Sequence, residues 1–329
     1  MTAPVTISVI VPAYNVAGYV GAALDSLLAQ SVPFHEIIII DDGSTDATPA
    51  VLERYRAQPG VRIERVVNGG LGRARNLGMT LATGDFVYFF DSDDLLVPTF
   101  GARMQALLAG RPEVDIVYFS GLSFLDEGCT ANYLPAYRRG MTREFASGVA
   151  ATGAMLQAQV LFSSACLYVS RRTLWADGAL AFAPIVHEDE ELLTVLSCKA
   201  RVSLCIDDVL FDRRVRADSI MTQAKTERHA LGYLHTLATL AGQCRAERAR
   251  LAPIMPQLVR RFYALLRGYL VICKANGVPV RYRALAGHVW TLRRLPTLRQ
   301  LVEMTASPDL KARLSRLRKS FTLTRTGQH

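Results

Sequence analysis

Short apolar runs alternate with segments of helical spacing over the first hundred residues of the chain. Four apolar or β-branched runs predict strands, at residues 7–11, 36–40, 61–67 and 85–90. Between them, apolar residues recur at helical spacing in residues 20–29, 48–56 and 71–82. This alternation predicts βαβ units, and therefore an α/β fold with a Rossmann-like, mostly parallel central sheet flanked by helices. A ligand of such a sheet binds at the carboxyl ends of the strands.

The pattern changes after residue 100. It predicts a helix near 101–109, strands near 116–119 and 166–169, and then an acidic segment at 188–191. From about residue 225 the spacing is helical, and in residues 257–274 an apolar stripe runs beside Arg260, Arg267 and Lys274. We therefore predict an α/β domain over residues 1–224, with halves 1–100 and 101–224, and an α-helical C-terminal extension over residues 225–329.

Acidic residues follow two of the predicted strands. Asp41 and Asp42 come directly after residues 36–40, and Asp91, Asp93 and Asp94 come directly after residues 85–90. Carboxylates that converge at one sheet edge repel each other unless a cation offsets their charge. Carboxylate oxygens suit Mg²⁺ or Mn²⁺, which protein sites commonly share with substrate phosphates. The sequence thus predicts a metal and phosphate site, although Asp41-Asp42-Gly43-Ser44 alone is equally typical of a simple turn.

The net charge of +9 is divided unevenly along the chain. Residues 1–224 contain 18 Lys and Arg against 25 Asp and Glu, whereas residues 225–329 contain 20 against 4. The basic region indicates an anionic partner, such as a membrane surface, an anionic substrate or a nucleic acid. A solvated basic helical surface is the alternative. Because no nucleic-acid-binding module is visible, we do not predict a nucleic-acid partner.

The cysteines and the apolar segments indicate the compartment. The six cysteines show no metal or redox spacing, so we expect buried free thiols in a reducing cytoplasm. No signal peptide is recognised before the first strand. Residues 145–170 lack charged side chains, but glycines and polar residues interrupt them, so we do not predict a membrane span.

Six motifs in order give the chain a family resemblance. It resembles the family 2 glycosyltransferases of the GT-A fold, of the bacterial kind that builds surface polysaccharides. The similarity extends over about residues 5–224, and it is carried by these segments: SVIVPAYN at 8–15, DDGSTD at 41–46, NGGLGRARNLG at 68–78, DSDD at 91–94, HED at 187–189 and RRVRADSIM at 213–221.

The resemblance implies roles for individual residues. The 12–15 segment, Asp42 and Arg75 would surround the base and ribose, Asp41 would hold its turn, and Asp93 would bind a Mn²⁺ or Mg²⁺ ion that bridges the diphosphate. Asp91 would lie near both the ribose and the metal. The nucleotide-sugar site that it implies is built from Pro12, Ala13, Tyr14, Asn15, Asp41, Asp42, Asn68, Gly70, Arg75, Asp91, Ser92, Arg213, Arg214 and Arg216.

The resemblance also implies inversion at the anomeric carbon by a single displacement. Asp189 matches the family's catalytic base, and His187, Glu188 and Asp94 take supporting roles. Asp189 belongs to four consecutive carboxylates, so mutual repulsion would raise its pKa towards a useful value. An acidic first turn of a helix is the alternative explanation of that run. The resemblance leaves open which of Arg213, Arg214 and Arg216 contacts phosphate, because Phe211-Asp212-Arg213 departs from the family pattern.

The expected enzyme takes a sugar from a nucleotide-sugar donor, with UDP favoured, and transfers it to a glycan or polyprenyl-linked acceptor. We expect it at the inner face of the plasma membrane, with the basic extension on anionic lipid through residues 257–274 and the stretch that begins at Arg293. A homodimer or an acidic-polysaccharide site is the competing interpretation of that extension. For the whole chain, the alternatives are a nucleotidyltransferase or a sugar-binding protein without transfer activity.

Overall fold

The protein is described by a computed structural model that covers residues 4–130, 134–216 and 225–291. Within these ranges the chain forms two compact units. The first contains the described residues before 217 together with Ala249–Leu258, and the second contains Lys225–Arg248 together with the described residues from Val259 onward. Residues 217–221 of the arginine motif and the basic stretch from Arg293 lie outside the described residues. The domain division at residue 224 stays a prediction.

The first unit is built on a nine-stranded sheet. Its strands follow the β-branched and aromatic runs of the sequence, which pack well on a pleated surface. They are β1 (Ile7–Ala13), β2 (Glu36–Asp41), β3 (Val61–Arg65), β4 (Phe86–Phe89), β5 (Leu95–Leu96), β6 (Val114–Leu125), β7 (Arg143–Phe145), β8 (Tyr168–Arg171) and β9 (Val202–Val215).

The helices of the first unit connect these strands. They are α1 (Val20–Leu28), α2 (Thr48–Glu53), α3 (Leu71–Leu81), α4 (Phe100–Leu108), α5 (Gly148–Ala158), α6 (Arg172–Asp177) and α7 (Glu188–Lys199). A 3-10 turn at Ala165–Leu167 leads into β8. The Asp46 carboxylate accepts a hydrogen bond from the Thr48 N–H at 2.9 Å, while Ala47 occupies the N-cap position of α2.

The sheet has the strand order β3-β2-β1-β4-β8-β6-β9-β5, and β7 pairs with β9. The four N-terminal strands pair in parallel, which gives the predicted βαβ half. The second half is mixed, because β8 lies antiparallel between β4 and β6, while β6 and β9 are parallel. The predicted α/β fold with a central sheet is therefore confirmed, with antiparallel pairing added beyond β4.

The core lies on both faces of this sheet. Val9 and Val11 of β1 pack with Leu24 of α1 on one face, while Ile10 packs with Ile38 on the other. Every residue of β1 is buried, which explains why the strand is a continuous apolar run instead of an alternating one. Burial of each such aliphatic side chain stabilises the folded state by about 1.5–3 kcal/mol relative to leaving the side chain exposed to water.

Close packing of α3 against β1 positions part of the site. A Cβ atom at Gly78 would lie 2.3 Å from Ile10 Cγ2, so only glycine permits this separation between helix and strand. Arg75 lies about one turn earlier on the same helix and is only 2% exposed. The glycine therefore holds the Arg75 guanidinium close to the sheet.

The second unit is helical. It contains α8 (Glu227–Ala246), most of α10 (Met255–Asn276) and α11 (Tyr282–Thr291), and the short α9 (Arg248–Leu251) follows α8. On α10 the predicted apolar stripe is buried, including Phe262 and Leu266, whereas Arg260, Arg267 and Lys274 are exposed. No helix within the described ranges is long and apolar enough to cross a membrane.

Candidate active site

The loops that follow β1 and β2 are tied together by hydrogen bonds. Asn15 adopts a left-handed backbone conformation (φ 50°), and its side-chain oxygen accepts from the backbone N–H groups of Thr45 at 2.8 Å and Asp46 at 3.3 Å. Pro12 and Ala13 belong to β1 and pair with Ile40 and Asp41. Tyr14 is 48% exposed, so its ring is available for contact with a ligand.

Asp41 and Asp42 are both buried and turn into the protein. Asp41 accepts from the Ser44 N–H at 2.9 Å and forms an ion pair with Arg65. The two carboxylate oxygens of Asp42 accept from the Gly69 and Gly70 N–H groups, each at 2.8 Å. Asp41 thus holds its own turn, and Asp42 holds the entry to α3. A contact of Asp42 with a nucleoside stays a prediction.

The entry to α3 requires a glycine. Gly70 has φ 89°, a backbone conformation that L side chains rarely adopt, and the Asn68 side-chain amide donates to the Asp42 carbonyl at 2.9 Å. The segment Asn68-Gly69-Gly70 therefore lies against the end of β2 as a shaped backbone surface. This is where the sequence predicts contacts with the nucleotide.

The acidic turn Asp91-Ser92-Asp93-Asp94 follows β4, and its members differ in exposure. The side chain of Asp91 is 36% exposed and that of Asp93 is 21% exposed, whereas Ser92 and Asp94 are buried. Each carboxylate contacts a different arginine. Asp91 pairs with Arg75 at 2.9 Å, Asp93 pairs with Arg216 at 2.8 Å, and Asp94 accepts from the Arg214 backbone N–H at 2.7 Å.

The electrostatics of this turn fit a bound cation. Burial raises the pKa of Asp93, and the nearby Asp91 charge raises it further, against the effect of Arg216. Burial and the charges of Asp93 and Asp91 raise the pKa of Asp94 well above its ordinary value. A divalent ion stabilises the ionised form of carboxylates whose ionisation is disfavoured in this way.

The potential ligand atoms are arranged differently from the sequence prediction. Among the described residues, atoms of Asp91, Asp94 and the buried Cys166 thiol lie within 4.8 Å of one another. Asp93, which we predict as the metal ligand, instead directs Oδ2 at Arg216. Asp91 belongs to both sets, and the assignment of the metal to Asp93 stays a prediction.

Arg75 links two acidic residues that lie far apart in the chain. One guanidinium nitrogen donates to Glu188 at 2.6 Å and another to Asp91 at 2.9 Å. The guanidinium also lies 5.2 Å from the ring centre of Phe182. The sequence predicts that Arg75 donates to nucleotide oxygens, whereas in this structure it joins the turn after β4 to the start of α7.

The candidate base lies on the first turn of α7. His187 precedes this helix in a left-handed conformation (φ 69°), and the Glu190 N–H donates to Asp189 Oδ1 at 2.8 Å. Burial is the main cause that raises the pKa of Asp189 to about 7, and the Glu188 charge adds to it, while Arg75 opposes it. Near neutral pH this carboxylate can therefore both accept and release a proton.

The three arginines at the end of β9 have different partners. Arg213 donates to the Tyr137 hydroxyl. Arg214 donates to the Asp93 carbonyl and to Asp126, each at 2.8 Å, and Arg216 donates to the Asp93 carboxylate. Arg214 and Arg216 also lie over the ring of Tyr19. The latter two therefore lie at the acidic turn.

Several residues of this site carry no signal in the sequence. Tyr19, Asp126, Cys166 and Phe182 are isolated residues outside the six motifs, and they reach the site only because the sheet brings distant segments together. Ser163 is a further example, since its hydroxyl donates to Glu190 at 2.5 Å.

The fold is shared with a solved structure. The structure of Staphylococcus aureus TarS residues 1–349 in complex with UDP-GlcNAc is similar to this chain with a TM-score of 0.58, at 20% identity, over 88% of this chain and 89% of that chain. The predicted GT-A fold is therefore confirmed.

Part of the sequence is similar to a known family. Residues 8–146 match the model described as "Glycosyl transferase family 2". The putative glycosyltransferase EpsH of Bacillus subtilis is 36% identical over 126 residues, 38% of this chain and 36% of the relative. The S. aureus poly(ribitol-phosphate) beta-N-acetylglucosaminyltransferase TarS is 27% identical over 224 residues, 66% of this chain and 37% of the relative. The matches span just over a third of the length of these relatives. Over residues 8–146 the chain is therefore similar to glycosyl transferase family 2.

Proposed function

We propose that the chain transfers a sugar from a nucleoside-diphosphate donor to a hydroxyl group of a glycan or lipid-linked acceptor in surface-polysaccharide synthesis. The observation that carries the proposal is the continuous set of contacts from Asp91 through Arg75 to Glu188, with Asp189 adjacent and its pKa raised to about 7. It connects a strand-end acidic turn that suits a diphosphate with a carboxylate that suits a base.

The donor that we favour is a UDP-sugar, of the hexose or N-acetylhexosamine type. Support comes from a relative named as an N-acetylglucosaminyltransferase and from a structural neighbour that was solved with UDP-GlcNAc. In this chain Tyr14 would offer its exposed ring to the base, and the Asn68–Gly70 backbone would lie beside the ribose and phosphates.

Asp91 and Asp93 are the residues that would hold a Mn²⁺ or Mg²⁺ ion, with Asp94 in support. A divalent cation stabilises the negative charge that develops on a departing nucleoside diphosphate without proton transfer. Arg214 keeps the acidic turn in place through its contacts with Asp93 and Asp94. Arg213, Arg214 and Arg216 are the candidates for direct contact with phosphate.

Asp189 would take the proton from the attacking acceptor hydroxyl, which then displaces the diphosphate with inversion at the anomeric carbon. The amino end of α7 and the nearby Arg75 stabilise its ionised form, whereas burial and Glu188 oppose it. These opposing effects leave a base that is ionised above about pH 7 and still accepts a proton readily.

The basic helical region would bring the enzyme to an anionic surface. Arg260, Arg267 and Lys274 are exposed on α10, and each basic side chain near an anionic membrane adds roughly 1 kcal/mol of attraction. We infer a peripheral position on the inner face of the plasma membrane, where a polyprenyl-linked acceptor would lie. A homodimer through the same region is an alternative arrangement.

Two conservative substitutions test the proposal. We expect Asp93→Asn to lose Mn²⁺-dependent UDP binding in calorimetry, and Asp189→Asn to bind UDP as the parent does while donor turnover, measured as UDP release, stops. Asp85→Asn is the matched control. Asp85 lies directly before β4, at the end of the strand opposite the acidic turn, and its carboxylate accepts a hydrogen bond from the Thr6 hydroxyl.

Two results would overturn this function. Native UDP release by Asp189→Asn would remove the base assignment. Donor binding without UDP release by the parent, across a panel of acceptors, would indicate a sugar-binding protein.

A further inference from the structure

The end of β9 contacts the acidic turn at three points. Arg216 Nε donates to Asp93 Oδ2 at 2.8 Å, Arg214 Nε donates to the Asp93 carbonyl at 2.8 Å, and the Arg214 N–H donates to Asp94 at 2.7 Å. The Arg216 guanidinium also lies 4.8 Å from the ring centre of Tyr19. The two arginines have different functions here. Arg214 contacts the Asp93 backbone and the buried Asp94, whereas Arg216 binds the side chain of Asp93, one of the two carboxylates that would hold the metal.

The Arg216–Asp93 ion pair is largely shielded from water. The side chains are 18% and 21% exposed, respectively. In such an environment an arginine and a divalent ion on the same carboxylate repel each other strongly, since screening is weak. A free cation that binds Asp93 must therefore displace the Arg216 guanidinium. That displacement lowers the affinity of the free cation for Asp93.

A diphosphate changes this balance. Its oxygens supply the negative charge that the displaced guanidinium needs, and a planar guanidinium binds two phosphate oxygens at once. Loss of the Asp93 contact is then offset by a new contact with the ligand. A cation that arrives together with a nucleoside diphosphate thus meets less competition than the cation alone.

We propose that Arg216 makes the acidic turn selective for a divalent cation in complex with a nucleoside diphosphate, and that it excludes the free cation by occupying Asp93. This inference rests on the proposed nucleotide-sugar site. It assigns to Arg216 a second contact besides phosphate, and it gives the two arginines at the turn separate roles: Arg214 shapes the turn and Arg216 controls what binds to it.

The test is a substitution that moves two affinities in opposite directions. In Arg216→Gln we expect free Mn²⁺ to bind about tenfold tighter, because its competitor is gone, and UDP in saturating Mn²⁺ to bind about tenfold weaker, because a phosphate contact is lost. Free Mn²⁺ is measured by the electron paramagnetic resonance signal of the unbound ion, and UDP by calorimetry. Uridine, which has no phosphate, should bind the variant and the parent equally.

Two controls accompany this variant. Arg103→Gln removes the same charge at an arginine that pairs with Asp208, and we expect neither affinity to change. Arg216→Lys retains a charge near Asp93 but lacks the planar fork, so free Mn²⁺ should stay weakly bound while UDP binding falls. Arg216→Lys also tests the idea if Arg216→Gln does not fold.

The outcomes separate this inference from the proposed function. If the parent binds UDP with Mn²⁺ but Arg216→Gln gains no affinity for free Mn²⁺, the exclusion role is wrong and the donor site stands. An unchanged UDP affinity in Arg216→Gln refutes the phosphate contact. If the parent binds no UDP under any metal condition, the proposed function itself fails.

Discussion

Replacement of Asp189 by asparagine should stabilise the protein while it removes transfer. Asp189 lies on the first turn of α7, and burial together with the Glu188 charge raises its pKa from the ordinary 3.8 to about 7. A carboxyl with a higher pKa in the folded than in the unfolded protein binds its proton more tightly when folded. Its ionisation therefore opposes folding. Asparagine has nearly the same shape, and its oxygen can still accept from the Glu190 N–H.

The magnitude follows from the size of this rise. About three pH units correspond to about 4 kcal/mol in the free energy of unfolding. The variant gains only part of this free energy. The helix dipole favours a negative charge at this position by about 0.3–1 kcal/mol, and relaxation around Glu188 relieves some of the repulsion in the parent. We therefore expect Asp189→Asn to gain about 2 kcal/mol at pH 8, or roughly 4–8 °C in Tm.

The pH dependence distinguishes this mechanism from a general effect. The penalty on the parent is complete above about pH 7, shrinks as pH falls from 7 towards 4, and is absent below the unfolded value of 3.8. The advantage of the variant should follow that course in urea unfolding, monitored by circular dichroism. In the parent, donor turnover should rise with pH through about 7, since the base acts in its ionised form.

The matched control is Glu191→Gln on the same turn, which removes one helix-terminal charge and should slightly destabilise the protein. A variant Asp189→Asn that is less stable than its parent at pH 8, or whose advantage does not change between pH 8 and pH 5, would refute the reasoning. Either result would mean that the carboxylate is better solvated than its surroundings indicate.

Two further predictions concern other parts of the chain. Arg139 is buried, lies over the rings of Tyr118 and Phe162, and donates to the carbonyls of Phe119, Val160 and Leu167. Arg139→Met should therefore lose about 3–5 kcal/mol of stability in urea unfolding, while the exposed neighbour Arg138→Met should lose little. For the basic helix, Gln substitution of Arg260, Arg267 and Lys274 together should weaken binding to anionic vesicles at low salt about hundredfold. If the α10 triple variant binds the vesicles as tightly as the parent does, α10 is not the contact. If α10 is the contact, a matched triple variant at Arg56, Arg62 and Arg103 should bind as the parent does.

Strands and turns of this chain could be predicted from the sequence, because each depends on residues that are close together in the chain. The strands β1, β2 and β4 follow from continuous apolar runs, and the acidic turns follow from their position directly after β2 and β4. In each case one segment of fewer than about ten residues contains the whole signal.

Contacts across long separations were not readable. Arg75 pairs with Glu188, 113 residues away, and Arg214 contacts Asp94 at a separation of 120 residues. The second contact follows from the antiparallel pairing of β5 with β9, in which Leu95 lies opposite Asp212, and periodicity does not encode such a pairing. Residues Ala249–Leu258 likewise join the first unit across a helical segment. Side-chain charge predicted which residues would cluster, but the order of the strands in the sheet determines which charged side chains form pairs.

The Arg75 bridge has a consequence for engineering new specificities. A chimera that joins the donor half of this chain to the acceptor half of a relative exchanges Glu188 and its surroundings but keeps Arg75 and Asp91. If the incoming half lacks an acid at that position, a fully buried guanidinium loses one of its two counter-ions, and the cost is several kcal/mol. Recombination of such enzymes should therefore treat this arginine and both acids as one inherited unit.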